Sequence, residues 1–158
     1  MILGMSLMVF TQVHVAISLI GIASGFVVIF GMLASKRMPV TTAVFLITTI
    51  LTSVTGFLFP FHGVTPGIVI GVLSLVVLAL AVLAWYRGWR GTWVVTAVVA
   101  QFFNFFVLIV QLFEKVPALH ALAPTGNEGP LKAAQVATLL LFLLLAVLAY
   151  RKFRPQVA

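Results

Sequence analysis

Apolar residues in this chain neither alternate nor recur at a single helical period. They run on for about twenty positions at a time and stop abruptly at short polar or Pro/Gly breaks. A helix crossing a bilayer's hydrocarbon core needs roughly 20 mostly apolar residues. Five stretches meet that length, at 7–34, 40–59, 66–86, 92–113 and 131–150, with a longer connection at 114–130. Transmembrane strands need about ten residues of alternating polarity, and these runs are apolar all round. The pattern predicts an all-α integral membrane bundle of five transmembrane helices forming one domain over residues 1–158.

The breaks carry their own chemistry. Ser35-Lys36-Arg37-Met38-Pro39 ends the first span, and Pro39 suits a helix start, where its missing N–H would be unpaired anyway. Pro60-Phe61-His62-Gly63 closes the second, Thr65-Pro66 reads as an N-cap followed by proline, and Arg87-Gly88-Trp89-Arg90-Gly91 is a tight turn. No basic segment precedes the first apolar run, so no cleavable signal peptide is expected, and Met5 and Met8 are alternative starts to Met1.

Composition agrees. Of 158 residues 63% are apolar and only 7% charged, against roughly a quarter charged in soluble domains. Too few charges exist to coat a water-facing surface. The net charge of +7 does not point to nucleic acid, because the basic residues form small clusters between apolar runs and not a stripe on a folded face. Cysteine is absent, which excludes disulfides and thiolate metal sites.

Charge position sets the expected orientation. Lys36, Arg37, Arg87, Arg90, Arg151, Lys152 and Arg154 all fall on one side of the five spans, whereas the other side has Lys115 and Lys132, accompanied by Glu114 and Glu128. The positive-inside rule then places the N-terminus outside and the C-terminus in the cytoplasm. Trp85, Tyr86, Trp89, Trp93 and Tyr150 are expected at the same interface as the basic clusters.

Lipid provides no hydrophobic drive for helix association, so small residues and interhelical hydrogen bonds must supply it. At 100° per residue His14, Ser18, Gly21 and Gly25 share one sector of the first span, and Gly67, Gly71, Ser74 and Ala81 share one of the third. Thr41, Thr48, Thr52 and Thr55 line the second. Gln101, Asn104, Leu108, Gln111 and Lys115 form a stripe on the fourth, and three amides exceed what one helix contact needs. Gln135 opens the fifth span on the outer side, where Glu114, His62, His120 and Glu128 also lie.

The expected site is therefore an outer-half pocket built from His14, Asn104, Gln111, Gln135, Gln101, Thr52, Thr55 and Glu114, with His62, His120 and Glu128 as loop candidates. An apolar cleft with a few convergent polar groups suits an amphipathic molecule such as a quinone or a lipid, and Phe102, Phe103, Phe105 and Phe106 could flank a ring or an acyl chain. A partner membrane subunit or a second copy of the chain is an alternative occupant. A small transporter or channel is the next reading, with His14 as its one intramembrane ionisable group. A b-type haem held by His14 with His62 or His120, or a metal held by these histidines and a glutamate, comes after it. No cofactor is assigned. The chain lacks GxSxG, HExxH and P-loop motifs and contains no Asp, so no catalytic residue is expected.

Three segments in combination resemble a family of small bacterial multi-pass inner-membrane proteins. They are Leu51-Thr52-Ser53-Val54-Thr55-Gly56-Phe57-Leu58-Phe59-Pro60, Asn104-Phe105-Phe106-Val107-Leu108-Ile109-Val110-Gln111, and Ala123-Pro124-Thr125-Gly126-Asn127-Glu128-Gly129-Pro130. The resemblance implies a bacterial inner-membrane location. It brings no activity, ligand or site residue.

Overall fold

The computed structural model describes residues 1–60, 63 and 66–155. Helices follow in the order α1 (Leu7–Leu33), α2 (Pro39–Gly56), α3 (Pro66–Arg87), α4 (Arg90–Lys115), the single turn α5 (Pro117–His120) and α6 (Gly129–Lys152). Five of these six are long and apolar enough to cross a membrane, and no strand forms among the described residues. The chain is an all-α, multi-pass membrane-type bundle. Its helices α1 and α4 are central: α1 packs on α2, α4 and α6, while α4 also packs on α3 and α5, and α2 packs on α3.

Helix ends differ from the sequence expectation by a few residues, each for a local reason. α2 stops at Gly56 and not Phe59, continuing only as turns in which Phe57 and Leu58 donate to Val54 and Thr55. Pro60 disfavours helical geometry at the residue before it. α4 begins at Arg90 because Gly88, at φ +68°, turns the chain within two residues. Ser6 caps α1 by accepting the Val9 N–H at 3.3 Å. The expected Thr65 cap and the segment Phe61–His62 lie outside the described residues.

One end of the bundle gathers the basic residues. Arg37 sits over the Trp85 ring at 5.6 Å, Arg90 donates 2.7 Å hydrogen bonds to the Tyr150 and Phe153 carbonyls, and the Arg154 N–H donates to Ser35 Oγ at 2.9 Å. These contacts join the α1–α2 turn, the α3–α4 turn and the end of α6. The opposite end carries the N-terminus and the α2–α3 and α4–α6 connections.

The apolar core lies toward the basic end, where Met32, Phe45, Leu78, Ala84, Trp93, Val94 and Ala149 are buried together. Trp93 lies at the basic end and faces inward: it is only 3% exposed and packs on half-buried Trp85 at 4.9 Å. Tyr86, Trp89 and Tyr150 are the exposed aromatics of that end. Phe102 and Phe105 pack on Phe142, and Phe105 also meets Phe26, so both fill the α1–α4–α6 junction.

Small residues sit where helices approach most closely. A Cβ on Gly21 would stand 3.1 Å from Thr48 Oγ1, and one on Gly71 would stand 2.9 Å from the Phe57 ring. Ser53 of α2 donates to Ser74 of α3 at 3.2 Å, and both are buried.

Candidate functional site

A ladder of polar side chains climbs the junction of α1, α2 and α4 from mid-bundle to the N-terminal end. At its base Gln101, fully buried, donates from Nε2 to the Ile22 carbonyl of α1 at 2.8 Å. Its amide lies directly over Gly25, where any Cβ would collide with it. One turn higher, Asn104 Nδ2 donates to Thr49 Oγ1 of α2 at 3.0 Å. Asn104 belongs to the polar stripe expected on this helix, but its partner Thr49 lies outside the expected threonine line of Thr41, Thr48, Thr52 and Thr55 and is fully buried.

Thr52 comes next along α2. Its neighbours Thr48 and Thr55 donate to carbonyls four residues earlier, at 2.7 Å and 2.6 Å. Thr52 Oγ1 is buried and, like Gln101 Oε1, finds no hydrogen-bond partner among the described residues. Unpaired buried polar atoms are few in native structures and call for a physical account. For Gln101 the close Gly25 Cα–H supplies a weak contact.

His14 and Thr55 close the ladder, with Nδ1 and Oγ1 2.8 Å apart. The Thr55 hydroxyl also lies 2.6 Å from the Leu51 carbonyl; with its single proton directed there, Thr55 accepts from His14 Nδ1. In the neutral ring this leaves Nε2 as a hydrogen-bond acceptor. The imidazole stands edge-on to Phe59 at 5.2 Å, and Phe59 in turn meets buried Phe10 at 5.0 Å. A half-buried acceptor on a ring packed against Phe59 can receive a hydroxyl or ammonium proton from a flat or amphipathic molecule. Phe10 and Phe59 were not among the expected site residues; a phenylalanine in an apolar run carries no signal that separates ring contacts from lipid-facing filler.

The remaining expected residues fall elsewhere. Gln111 is exposed and donates to Glu114 at 3.1 Å along the same helix. Gln135 is half-buried on α6, and His120 is exposed at the end of α5. Glu128 is partly exposed and gathers three donors: Thr125 Oγ1 at 2.6 Å, the Thr125 N–H at 3.0 Å and the Asn127 N–H at 2.9 Å. Chiefly through the Thr125 hydroxyl, these hold its carboxyl down at about 2. His62 lies outside the described residues. Among the described residues no hydrogen bond joins His14 to Asn104, Gln111 or Gln135, and no three metal-ligating side chains converge.

The 114–130 connection packs on the α4–α6 side of this end. Leu119 and Ala123 pack on Phe113 and Leu131, tying α5 to α4 and α6.

Comparison with family models, with curated proteins and with solved structures finds no match for the chain. What the fold defines is a class, a five-span helical membrane bundle; the particular role rests on the polar ladder.

Proposed function

We propose that this is a non-catalytic integral protein of a bacterial inner membrane, with the basic end in the cytoplasm, that binds a small amphipathic molecule at the outer end of the α1–α2 interface. The observation that carries the reading is the His14–Thr55 pair. With the Thr55 hydroxyl directed to the Leu51 carbonyl, Nδ1 is the donor of the pair and Nε2 is left as an acceptor on a ring that stands against Phe59. The matching ligand has a hydroxyl next to an apolar or aromatic body, as in a quinol or a lipid with a hydroxylated headgroup. The sidedness is supported by seven basic residues at one end and by both glutamates at the other.

The test is small-molecule extraction from protein purified in mild detergent, followed by mass spectrometry of wild type and His14→Leu. The expected result is one hydroxylated amphiphile near one per chain in wild type, lost in the folded variant. Equal recovery from both proteins would overturn the reading, as would a Soret band assigning His14 to haem. Orientation is tested separately, because the chain has no cysteine. A cysteine at Gly126 should react with an impermeant thiol reagent from outside intact cells, and one at Gly88 should not.

A further inference from the structure

A second site lies at the basic end, where the polar ladder does not reach. Between the start of α4 and the end of α6 runs an open groove of about 450 Å³, lined by Trp89, Gly91, Thr92, Val95, Thr96 and Tyr150. Its walls are set by packing. Gly91 lets the Tyr150 ring lie against α4, since a Cβ there would stand 3.1 Å from Tyr150 Cε2. Arg90 covers the ring with its guanidinium at 5.0 Å while holding the Tyr150 and Phe153 carbonyls. Thr96 ties its hydroxyl back to the Thr92 carbonyl at 2.7 Å, so it is already partnered within the helix. The result is an open, mainly apolar groove flanked by two exposed aromatic residues.

Charge states what fits it. Arg87 lies two residues before Trp89, and Arg151 follows Tyr150 directly. Both are exposed, as is Lys152. Neither glutamate of the chain is at this end. Arg90 stands against the groove's Tyr150 wall, and with Arg87, Arg151 and Lys152 close by in the chain this basic end suits a phosphate attached to an acyl chain. We infer that this groove holds an anionic phospholipid of the basic-side leaflet, its acyl chain along Val95 and Thr96 and its phosphodiester beside these basic residues. Arg90 is the positioning residue, because it fixes Tyr150 and the end of α6.

The experiment is native mass spectrometry of delipidated protein titrated with phosphatidylglycerol or phosphatidylcholine, reading lipid adducts and oligomer mass together. Wild type should retain phosphatidylglycerol and not phosphatidylcholine. Thr92→Trp, which fills the slot from an exposed position, should abolish that retention. Arg87→Gln with Arg151→Gln should weaken it roughly 30-fold, the worth of two basic residues near an anionic surface. Leu140→Trp, exposed on α6 about 15 Å away along the axis, should leave it unchanged. Equal retention of the two lipids would overturn the inference, and so would retention that survives Thr92→Trp. A dimer lost on Thr92→Trp with unchanged lipid adducts would assign the groove to a second copy of the chain instead.

Discussion

Gln101 of α4 lies across Gly25 of α1 with its amide where a side chain on Gly25 would have to be. The two helices are keyed at mid-bundle by a hydrogen bond to the Ile22 carbonyl and by the absence of a β-carbon. In lipid, where apolar surface has no reason to leave its solvent, such close approach is what holds helices together.

Gly25→Ala tests the key directly. The new methyl meets Gln101 and also the Phe45 ring at 2.9 Å, and neither can retreat from a packed junction. Overpacking of this kind costs about 1–3 kcal/mol. Thermal unfolding in detergent should show the loss, and Gly25→Ala with Gln101→Ala should recover part of it. An unchanged melting temperature for the single variant would mean the helices are not keyed here.

Asn104→Leu removes the donor to Thr49 while keeping the volume. Hydrogen bonds between membrane helices contribute about 0.6 kcal/mol on average and at most about 1.7. The expected loss lies in that range. Gln101→Met should cost less than about 1 kcal/mol, because the Ile22 carbonyl keeps its helical partner and an unpaired oxygen leaves the interior. Unfolding in mixed micelles separates the two.

Ser35 sits at φ +55°, a left-handed conformation that costs a non-glycine residue about 1–2 kcal/mol. It closes α1 in the Schellman manner, with Lys36 N–H on the Gly31 carbonyl and Ser35 N–H on that of Met32. Its hydroxyl also accepts the Arg154 N–H. Ser35→Ala keeps the strain and loses the acceptor, so it should destabilise. Ser35→Gly relieves the strain and should equal or exceed wild type, yet amide exchange at Arg154 should rise in both variants.

Arg90→Ala should loosen the end of α6. Two carbonyls there lose a charged donor, a class of bond worth about 1.5–3 kcal/mol when well shielded; partial exposure lowers that. Hydrogen exchange should increase over residues 150–154 and stay unchanged at the other end. Uniform exchange across α6 would contradict the role assigned to Arg90.

Glu128 gives the loop a pH response of definite sign. Its carboxyl is held at about 2 against an ordinary value of 4.5. The folded loop therefore binds protons less readily than the unfolded one. The carboxylate's stabilising contribution is complete above about 4.5 and is lost as pH falls toward 2. Amide protection at Thr125 and Asn127 should be constant at neutral pH and decline across that acid window, while Glu128→Gln should remove the dependence. A decline centred near 4.5 in wild type would show that the Thr125 hydroxyl is not bound to the carboxylate.

Much of the architecture was readable in advance because it depends on lengths and on solvent. Runs of about twenty apolar residues have no soluble solution at 7% charge, and a helix is the structure that satisfies their backbone groups internally. The faces bearing Gly21, Gly25 and Ser74 followed from 100° geometry alone. The candidate site was legible only in part. Gln101, Asn104, Gln111 and Gln135 look alike as amides in apolar or near-apolar runs, yet Gln101 and Asn104 are bonded across the α1–α2–α4 junction while Gln111 faces outward to Glu114. A stripe on one helix does not reveal which neighbour covers it, or how far along.

The sequence by itself determined five membrane-length helices, their breaks and the segregation of basic from acidic residues, since these depend on composition and spacing along one dimension. The tertiary structure decided which polar groups meet. It turned Trp93 inward at the basic end, chose Thr49 for Asn104, paired His14 with Thr55, and opened a groove between Trp89 and Tyr150. Each of these depends on the angle and depth at which two helices cross, and residues 40–80 positions apart in the chain fix that geometry jointly.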